Sequence, residues 1–507
     1  MFVQRAAQNG IRVSVVVPLH NPAEGFDDLC ASLWAQTLPD DDYEVVFVDD
    51  GSTDDTPERV ASIVAGHPHA MSVRIPPSGW PGRPRNVGID ASHGRYIFFA
   101  DQDDYVFPDA LERMCDLADE NRTDMVVGKV VQLGAQTPYW PLWQRDVPRA
   151  DLATDGVTLS RTVHKLFRRE LLVAHGIQFP EGPVRLEDYH FMGQVLAASP
   201  QVSVLASRAC YRWVKHGANT SARRTTPREY WGYYAEAMNL VDELGGPTTI
   251  SDALKVAATG QAFTRPALAN WLKHSPEVQE DEFAAVADWV DEVVPARLDD
   301  RQPLVRRAHL CALRRRDRAA YRAAQELRAN ASATDELLSV AWDPDGRLEV
   351  TCRIRIAFTG GRRADALGGE RWHVPGLPDD GPYDQRLLDV DRAAGELSVR
   401  ERASGVEWPV ESRMAVSAAA SGAELTIVGH VDPFAGAFGR AWGPGTWDVY
   451  IRASMLGRQF VRRASVDRDR FPAARASDRW HAEVYRTKRG TLALRVEPGP
   501  GDVGAGG

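Results

Sequence analysis

Three carboxylates stand within four residues at Asp101-Gln102-Asp103-Asp104, directly after the apolar run Tyr96-Ile97-Phe98-Phe99-Ala100. Such a run reads as a buried strand, and Pro108 opens a helical pattern that continues to about residue 121. Clustered carboxylates repel one another, so a site that keeps them supplies a cation. Oxygen ligands suit Mg²⁺ or Mn²⁺, and those ions in turn suit a diphosphate. Taken alone, the same residues would equally serve as a helix cap through Asp103 or Asp104. Two more acidic pairs shift that balance. Asp49-Asp50 ends a second apolar run, and Glu187-Asp188 opens a helix, where the dipole favours negative charge. His190 follows the second pair, but no histidine or cysteine lies one helical turn away to share a metal, so it reads as a packing residue.

The elements that must gather these groups follow from periodicity. The Val-rich stretch 12–18, then 44–48, about 72–75 and 95–100 read as strands buried on both faces. Helical patterns separate them, which predicts a mostly parallel, doubly wound α/β sheet with ligands at its carboxyl edge. Along that edge fall, in order, Pro18 with Asn21, Asp50, Arg85-Asn86, and Asp101 with Asp103. Residues 124–133 read as a further strand, 160–175 as an amphipathic helix and 202–213 as an edge strand closing the domain. Helical periodicity fills about 228–331. Short strands follow, beginning with a hairpin around Asp343-Pro344-Asp345-Gly346. The predicted division is an α/β domain over 1–227 and a helical linker or acceptor region over 228–333. Immunoglobulin-like β-sandwich modules, with room for two, occupy 334–497, and a disordered Gly/Pro-rich tail 498–507.

Hydrophobic residues make up 44% and charged residues 26%, ordinary for a globular chain, and a net charge of −10 gives no reason to expect a nucleic-acid partner. Cys30, Cys115, Cys210, Cys311 and Cys352 are scattered with no CxxC pair. They predict reduced core thiols, with neither a zinc site nor a disulfide framework. No apolar segment of signal-peptide or membrane-spanning type is visible, so the expected location is the cytoplasm.

Five segments, in this order, resemble the family 2 inverting glycosyltransferases of the GT-A fold. They are Val15-Val16-Val17-Pro18-Leu19-His20-Asn21, Val48-Asp49-Asp50-Gly51-Ser52-Thr53-Asp54, Pro84-Arg85-Asn86-Val87-Gly88-Ile89-Asp90, Phe99-Ala100-Asp101-Gln102-Asp103-Asp104 and Leu186-Glu187-Asp188. The resemblance spans roughly 11–220 and implies a role for each residue. Asp50 reads the uracil, since a carboxylate accepts the N3–H that cytosine lacks, and Pro18 shapes the loop under the base. Arg85 faces the diphosphate or the metal carboxylates. Asp103 binds Mn²⁺ or Mg²⁺ directly, Asp101 contacts the ribose or reaches the metal through water, and Asp104 is structural. Asp188 is the general base, because a single displacement needs one carboxylate opposite the leaving group. Glu187 supports it or contacts the acceptor.

The domain order also resembles the wall teichoic acid glycosyltransferases. That implies a UDP-N-acetylglucosamine donor, a polyol-phosphate polymer as acceptor at the inner face of the membrane, and homotrimers built through the β modules. Asn219 stands where such enzymes offer a metal-binding histidine, with His216 three residues earlier; either one serves as the third protein ligand, or that ligand is missing. Trp80, in the unusual loop Pro77-Ser78-Gly79-Trp80-Pro81-Gly82-Arg83, reads equally as a platform for acceptor or sugar and as loop packing. Arg223 and Arg224 read equally as a track for a phosphate polymer and as a solvated face. Another surface polysaccharide or a lipid-linked intermediate is the alternative acceptor. From a different class, a dead transferase scaffold that binds carbohydrate or polyanion would need neither the Asp101/Asp103 pair nor Asp188. A nucleotidyltransferase would show a Gly-rich phosphate loop after the first strand, which Val17-Pro18-Leu19-His20-Asn21-Pro22 is not.

Overall fold

The structure, a computed structural model, describes residues 10–22, 25–214, 225–358, 365–366, 372–373, 393–419, 422–455, 458–467, 471–476 and 480–499. His216, Asn219, Arg223 and Arg224 lie outside them, as does most of the expected C-terminal tail. Two compact units emerge, one of residues 1–132 with 137–258, the other of 133–136 with 259–507.

In the first unit nine strands form one sheet: β1 (Val13–Leu19), β2 (Tyr43–Asp49), β3 (Ala70–Arg74), β4 (Tyr96–Phe99), β5 (Tyr105–Val106), β6 (Met125–Gln132), β7 (Val147–Ala150), β8 (Leu166–Arg168) and β9 (Val202–Trp213). Around them run α1 (Phe26–Trp34), α2 (Thr56–Gly66), α3 (Gly82–Ala91), α4 (Ala110–Asn121), α5 (Arg169–Ala174), α6 (Glu187–Ala197) and α7 (Pro227–Glu243). The strand order is β3-β2-β1-β4-β8-β6-β9-β5, with β7 beside β9. β1, β2 and β4 are buried along their whole length, which is why their sequences carry continuous Val, Ile and Phe rather than an alternation. β1 pairs in parallel with both β2 and β4, so the chain turns outward in opposite directions on either side of β1. That is the switch point at which open α/β sheets hold their ligands. The ends of β1, β2 and β4 all reach it.

Two expected elements differ. Residues 160–175 are not one helix: Leu166, Phe167 and Arg168 form β8, antiparallel to β4 and β6, and only α5 is helical. Strand edges on both sides and a fully buried Phe167 outweigh a weak helical periodicity. β9 is not an edge strand either, since it pairs with β6, β5 and β7.

Helix α3, which carries Arg85, lies close on β1 because Gly88 has no side chain. A Cβ there would stand 2.2 Å from Val16 Cγ1. Gly88→Ala is therefore expected to cost about 1–3 kcal/mol through overpacking, read as a lower urea midpoint; an unchanged midpoint would show that the α3–β1 spacing gives freely.

In the second unit, the described antiparallel strands from Ala331–Trp342 to Leu492–Pro498 form a 10-stranded sheet around one hydrophobic cluster. The expected hairpin is present, Trp342 pairing with Leu348 across Gly346 at φ +90°. The long strand Glu407–Ala419 pairs first with Ala394–Glu401 and then with Gly422–Val431, so the sheet folds over on itself there. Gly395 and Gly429 let the two halves press together, their missing Cβ atoms being 2.8 Å from Ile427 Cδ1 and 2.7 Å from Leu397 Cδ1. Buried Glu407 takes hydrogen bonds from Ser398, Arg400 and Arg452. No helix among the described residues is long and apolar enough to cross a membrane, and all five cysteines are buried and free.

Candidate active site

Arg85 is the hub. It is 3% exposed in the second turn of α3. One guanidinium nitrogen, Nη2, donates to Asp101 Oδ1 at 2.8 Å. The other, Nη1, donates to Asp188 Oδ1 at 2.9 Å and to Glu187 Oε1 at 3.3 Å. Burial works against its charge, but Asp188, Asp101 and Glu187 together keep it protonated more firmly than usual. Asn86 uses its side chain elsewhere, exchanging hydrogen bonds with the backbone N–H and C=O of Phe179 and so pinning the 179–181 loop. The Phe179 ring lies under Arg85, 5.1 Å from Cζ.

Asp101 closes the end of β4. Burial opposes its charge, yet Arg85 and His164 prevail and hold the carboxyl far below the usual range. Gln102, between the two aspartates, accepts from His20 N at 2.8 Å and so ties the turn to the loop after β1. Asp103 is half-buried on the same turn. Asp104 points inward, accepting from Tyr211 Oη and Val214 N at 2.8 Å each. Burial and then Asp101 push its carboxyl up to about 7.

Glu187 and Asp188 open α6, behind Leu186 in the left-handed region at φ 61°. A leucine there is strained, and strain of this kind gathers at functional sites. Burial, then Asp188, pushes the Glu187 carboxyl up to about 7 from its ordinary 4.5. The folded chain thus binds this proton more tightly than the unfolded one. The stability it brings is complete below pH 4.5 and lost as pH rises through about 7. Glu187→Gln is expected to stabilise the protein above pH 7 by on the order of 2 kcal/mol and to do little near pH 4.5. Melting curves across that range check this, and a constant difference at all pH values would refute it.

Asp50, buried at the end of β2, accepts from Ser78 N at 2.8 Å, Ser78 Oγ at 2.9 Å and Gly79 N at 3.0 Å. It thereby holds the loop that carries half-buried Trp80. Gly51 sits at φ +68° under Pro77 of the same loop, where a Cβ would stand 2.6 Å from the proline ring. Pro18 is buried in β1, opposite Val48. Asn21, left-handed at φ 43°, accepts from Thr53 N at 2.8 Å, and its own N–H donates to Ser52 Oγ at 3.0 Å. It fastens the β1 loop to the β2 loop.

The fold thus brings Arg85, Asp101, Glu187 and Asp188 into one group, with Asp50 at the neighbouring strand end. Sequence reasoning missed His164 and Tyr211, which contact Asp101, Trp213, which donates to His164, and Lys165, a buried lysine whose Nζ donates to Thr162 O. Burial brings Lys165 down to about 7 although Asp188 opposes it. Reading 166–168 as a strand would have exposed this signal, since an antiparallel β8 starts where β4 ends. Asp101, Asp104 and His164 are the one group of three or more metal-type side chains among the described residues, with ligand atoms within 4.8 Å of one another. Carboxylates and imidazoles are donor types that a divalent ion takes, but Trp213 donates to His164 Nδ1 and Nε2 faces Asp101, so the carboxylates are the ligands left available.

A mixed α/β sheet with acidic strand ends at its switch point, followed by all-β structure, is an architecture of the GT-A glycosyltransferase type. Residues 14–176 match the family described as Glycosyl transferase family 2, so this segment is similar to the family 2 glycosyltransferases. It is 29% identical over 233 residues to a poly(ribitol-phosphate) β-glucosyltransferase of Bacillus spizizenii, a match covering 46% of this chain and 37% of the relative. To the poly(ribitol-phosphate) β-N-acetylglucosaminyltransferase TarS of Staphylococcus aureus it is 28% identical over 236 residues, 46% of this chain and 40% of TarS. The chain thus matches less than half the length of these relatives. The crystal structure of S. aureus TarS 1–349 with UDP-GlcNAc shares the fold, with a TM-score of 0.57 at 24% identity over 73% of this chain and 100% of that one. A longer TarS structure gives 0.55 at 19% identity over 96% and 85%.

Proposed function

We propose that the chain is an inverting, metal-dependent glycosyltransferase that moves N-acetylglucosamine from its UDP-sugar to a hydroxyl of a polyol-phosphate polymer of teichoic type. The observation that carries this reading is the convergence of Asp101, Glu187 and Asp188 on buried Arg85, at the sheet edge of a segment similar to family 2. The relatives' polymer substrates supply the acceptor class.

Asp50 reads the uracil N3–H with the lone pair that Ser78 and Gly79 leave open, above Pro18 and beside the loop that Asn21 fastens. The oxygen-rich turn at Asp101-Gln102-Asp103 fits a hard divalent cation. Asp103 and Asp101 hold it, with Asn219 or His216 completing the set. When bound, Mn²⁺ or Mg²⁺ offsets charge on the departing diphosphate. Arg85 keeps Asp101 and Asp188 on opposite sides of one guanidinium, so that nucleotide and acceptor meet in a fixed relation. Asp188 takes the acceptor hydroxyl proton as general base, and Glu187, near its midpoint at neutral pH, supports it. Trp80, Arg223 and Arg224 contact the acceptor. The second unit grips polymer or builds a homotrimer, and the polymer is met at the inner face of the membrane.

Calorimetric titration with UDP and a panel of UDP-sugars, with and without Mn²⁺, tests the reading. Metal-dependent UDP binding that falls at least about ten-fold in Asp103→Ala is the expected outcome. Folded protein that binds no uridine nucleotide would overturn the Asp50 and Asp103 assignments together. Offering a ribitol-phosphate oligomer beside a lipid-linked saccharide then separates the acceptor classes.

A further inference from the structure

Two side chains that touch the site have no part in the reaction as described: His164, just before β8, and Trp213, the last residue of β9. Because β8 runs antiparallel to β4, its start lies beside the end of β4, and His164 is brought to Asp101. His164 Nε2 is 3.1 Å from Asp101 Oδ2, and Trp213 Nε1 is 3.1 Å from His164 Nδ1. An indole N–H can only donate. Nδ1 is therefore the acceptor, and the imidazole proton sits on Nε2, directed at Asp101. The buried ring is also stacked on Tyr211, 4.2 Å between centroids and 13° between planes. Tyr211 Oη in turn accepts from Asp101 N at 2.9 Å and donates to Asp104 Oδ2 at 2.8 Å. With Arg85 on Oδ1, Asp101 has both oxygens and its own amide fixed by protein groups.

We propose that His164 is a positioning residue, held as its Nε2–H tautomer by Trp213, which aims the Asp101 carboxylate at the donor. The proposal rests on the glycosyltransferase reading above. It makes the end of β9, more than a hundred residues from Asp101, part of the donor site. Removing the imidazole leaves Asp101 Oδ2 without its donor, so the carboxylate turns and Arg85 shifts with it. The overall fold, set by the apolar sheet, is left standing.

Three variants of the full chain test this: His164→Ala, His164→Gln and Trp213→Phe. Nitrogen-15 imidazole spectra of the metal-free wild type are expected to show His164 protonated on Nε2, and Trp213→Phe to give a mixture of tautomers. In calorimetry with UDP and Mg²⁺, and in the KM for UDP-sugar, His164→Ala is expected to lose about 10–100-fold. Its kcat should change less and its melting temperature by only a few degrees. His164→Gln, whose side-chain amide can still donate to Asp101, should recover most of the loss. A wild-type imidazole protonated on Nδ1 would overturn the proposal. So would equal losses in the Ala and Gln variants that track equal drops in melting temperature. Wild type that binds no uridine nucleotide would instead sink the transferase reading, while the spectra would still decide whether Trp213 sets the His164 tautomer.

Discussion

Arg85→Leu is expected to abolish transfer and to destabilise the first unit by about 3–5 kcal/mol, the usual cost of removing one partner from a buried ion-pair cluster. The residue is 3% exposed and faces three carboxylates, two of them on α6 and one on the β4 turn. Without it, Asp101, Glu187 and Asp188 repel one another in a site where burial already penalises charge. They respond by taking up protons or by moving apart, and either response removes the proposed base. Arg85→Lys is the sharper probe. It keeps the charge, but an ammonium is a single point and cannot serve Asp101 on one side and Asp188 on the other as the two guanidinium nitrogens do. The lysine variant should therefore fold and transfer at least about ten-fold more slowly. Urea unfolding and a transfer assay on both variants check this. A leucine variant that transfers sugar at close to the wild-type rate would remove Arg85 from the centre of the site.

Asp188→Asn separates chemistry from architecture. The amide oxygen can still accept from Arg85, so the α6 terminus stays in place and UDP binding should change by no more than about two-fold. What is lost is the lone pair proposed to take the acceptor proton, and a missing general base lowers transfer by about 10²–10⁴-fold. The paired measurement is Glu187→Gln. If that substitution collapses the rate while Asp188→Asn spares it, the base is Glu187, and the elevated Glu187 carboxyl becomes the centre of the pH profile.

Much of this site was legible in the amino-acid order. Asp50, Asp101 and Asp103 follow apolar runs that can only be buried strands, and parallel strands end at a common edge. Arg85 could be suspected only through the pattern around it, because nothing local says that an arginine four residues into a helix will be buried. The helix expected over 160–175 hid the rest. Leu166, Phe167 and Arg168 are too few to show strand periodicity, and their conformation is decided by β4 and β6, which offer them backbone partners on both sides. His164 and Lys165 were lost with that reading. Tyr211 and Trp213 were lost because β9 read as an edge strand, whereas the structure places its last residues against Asp101 and His164.

By itself, then, the sequence determined the α/β order, the buried strands and the carboxylates at their ends, since each is written in residues close to one another. Tertiary structure alone decided which charges meet. Arg85 finds Glu187 and Asp188 from 102 and 103 residues away, and His164 finds Asp101 across 63. The physical reason is that a buried charge settles where desolvation is best offset by the partners that packing happens to bring, and no local pattern records those partners.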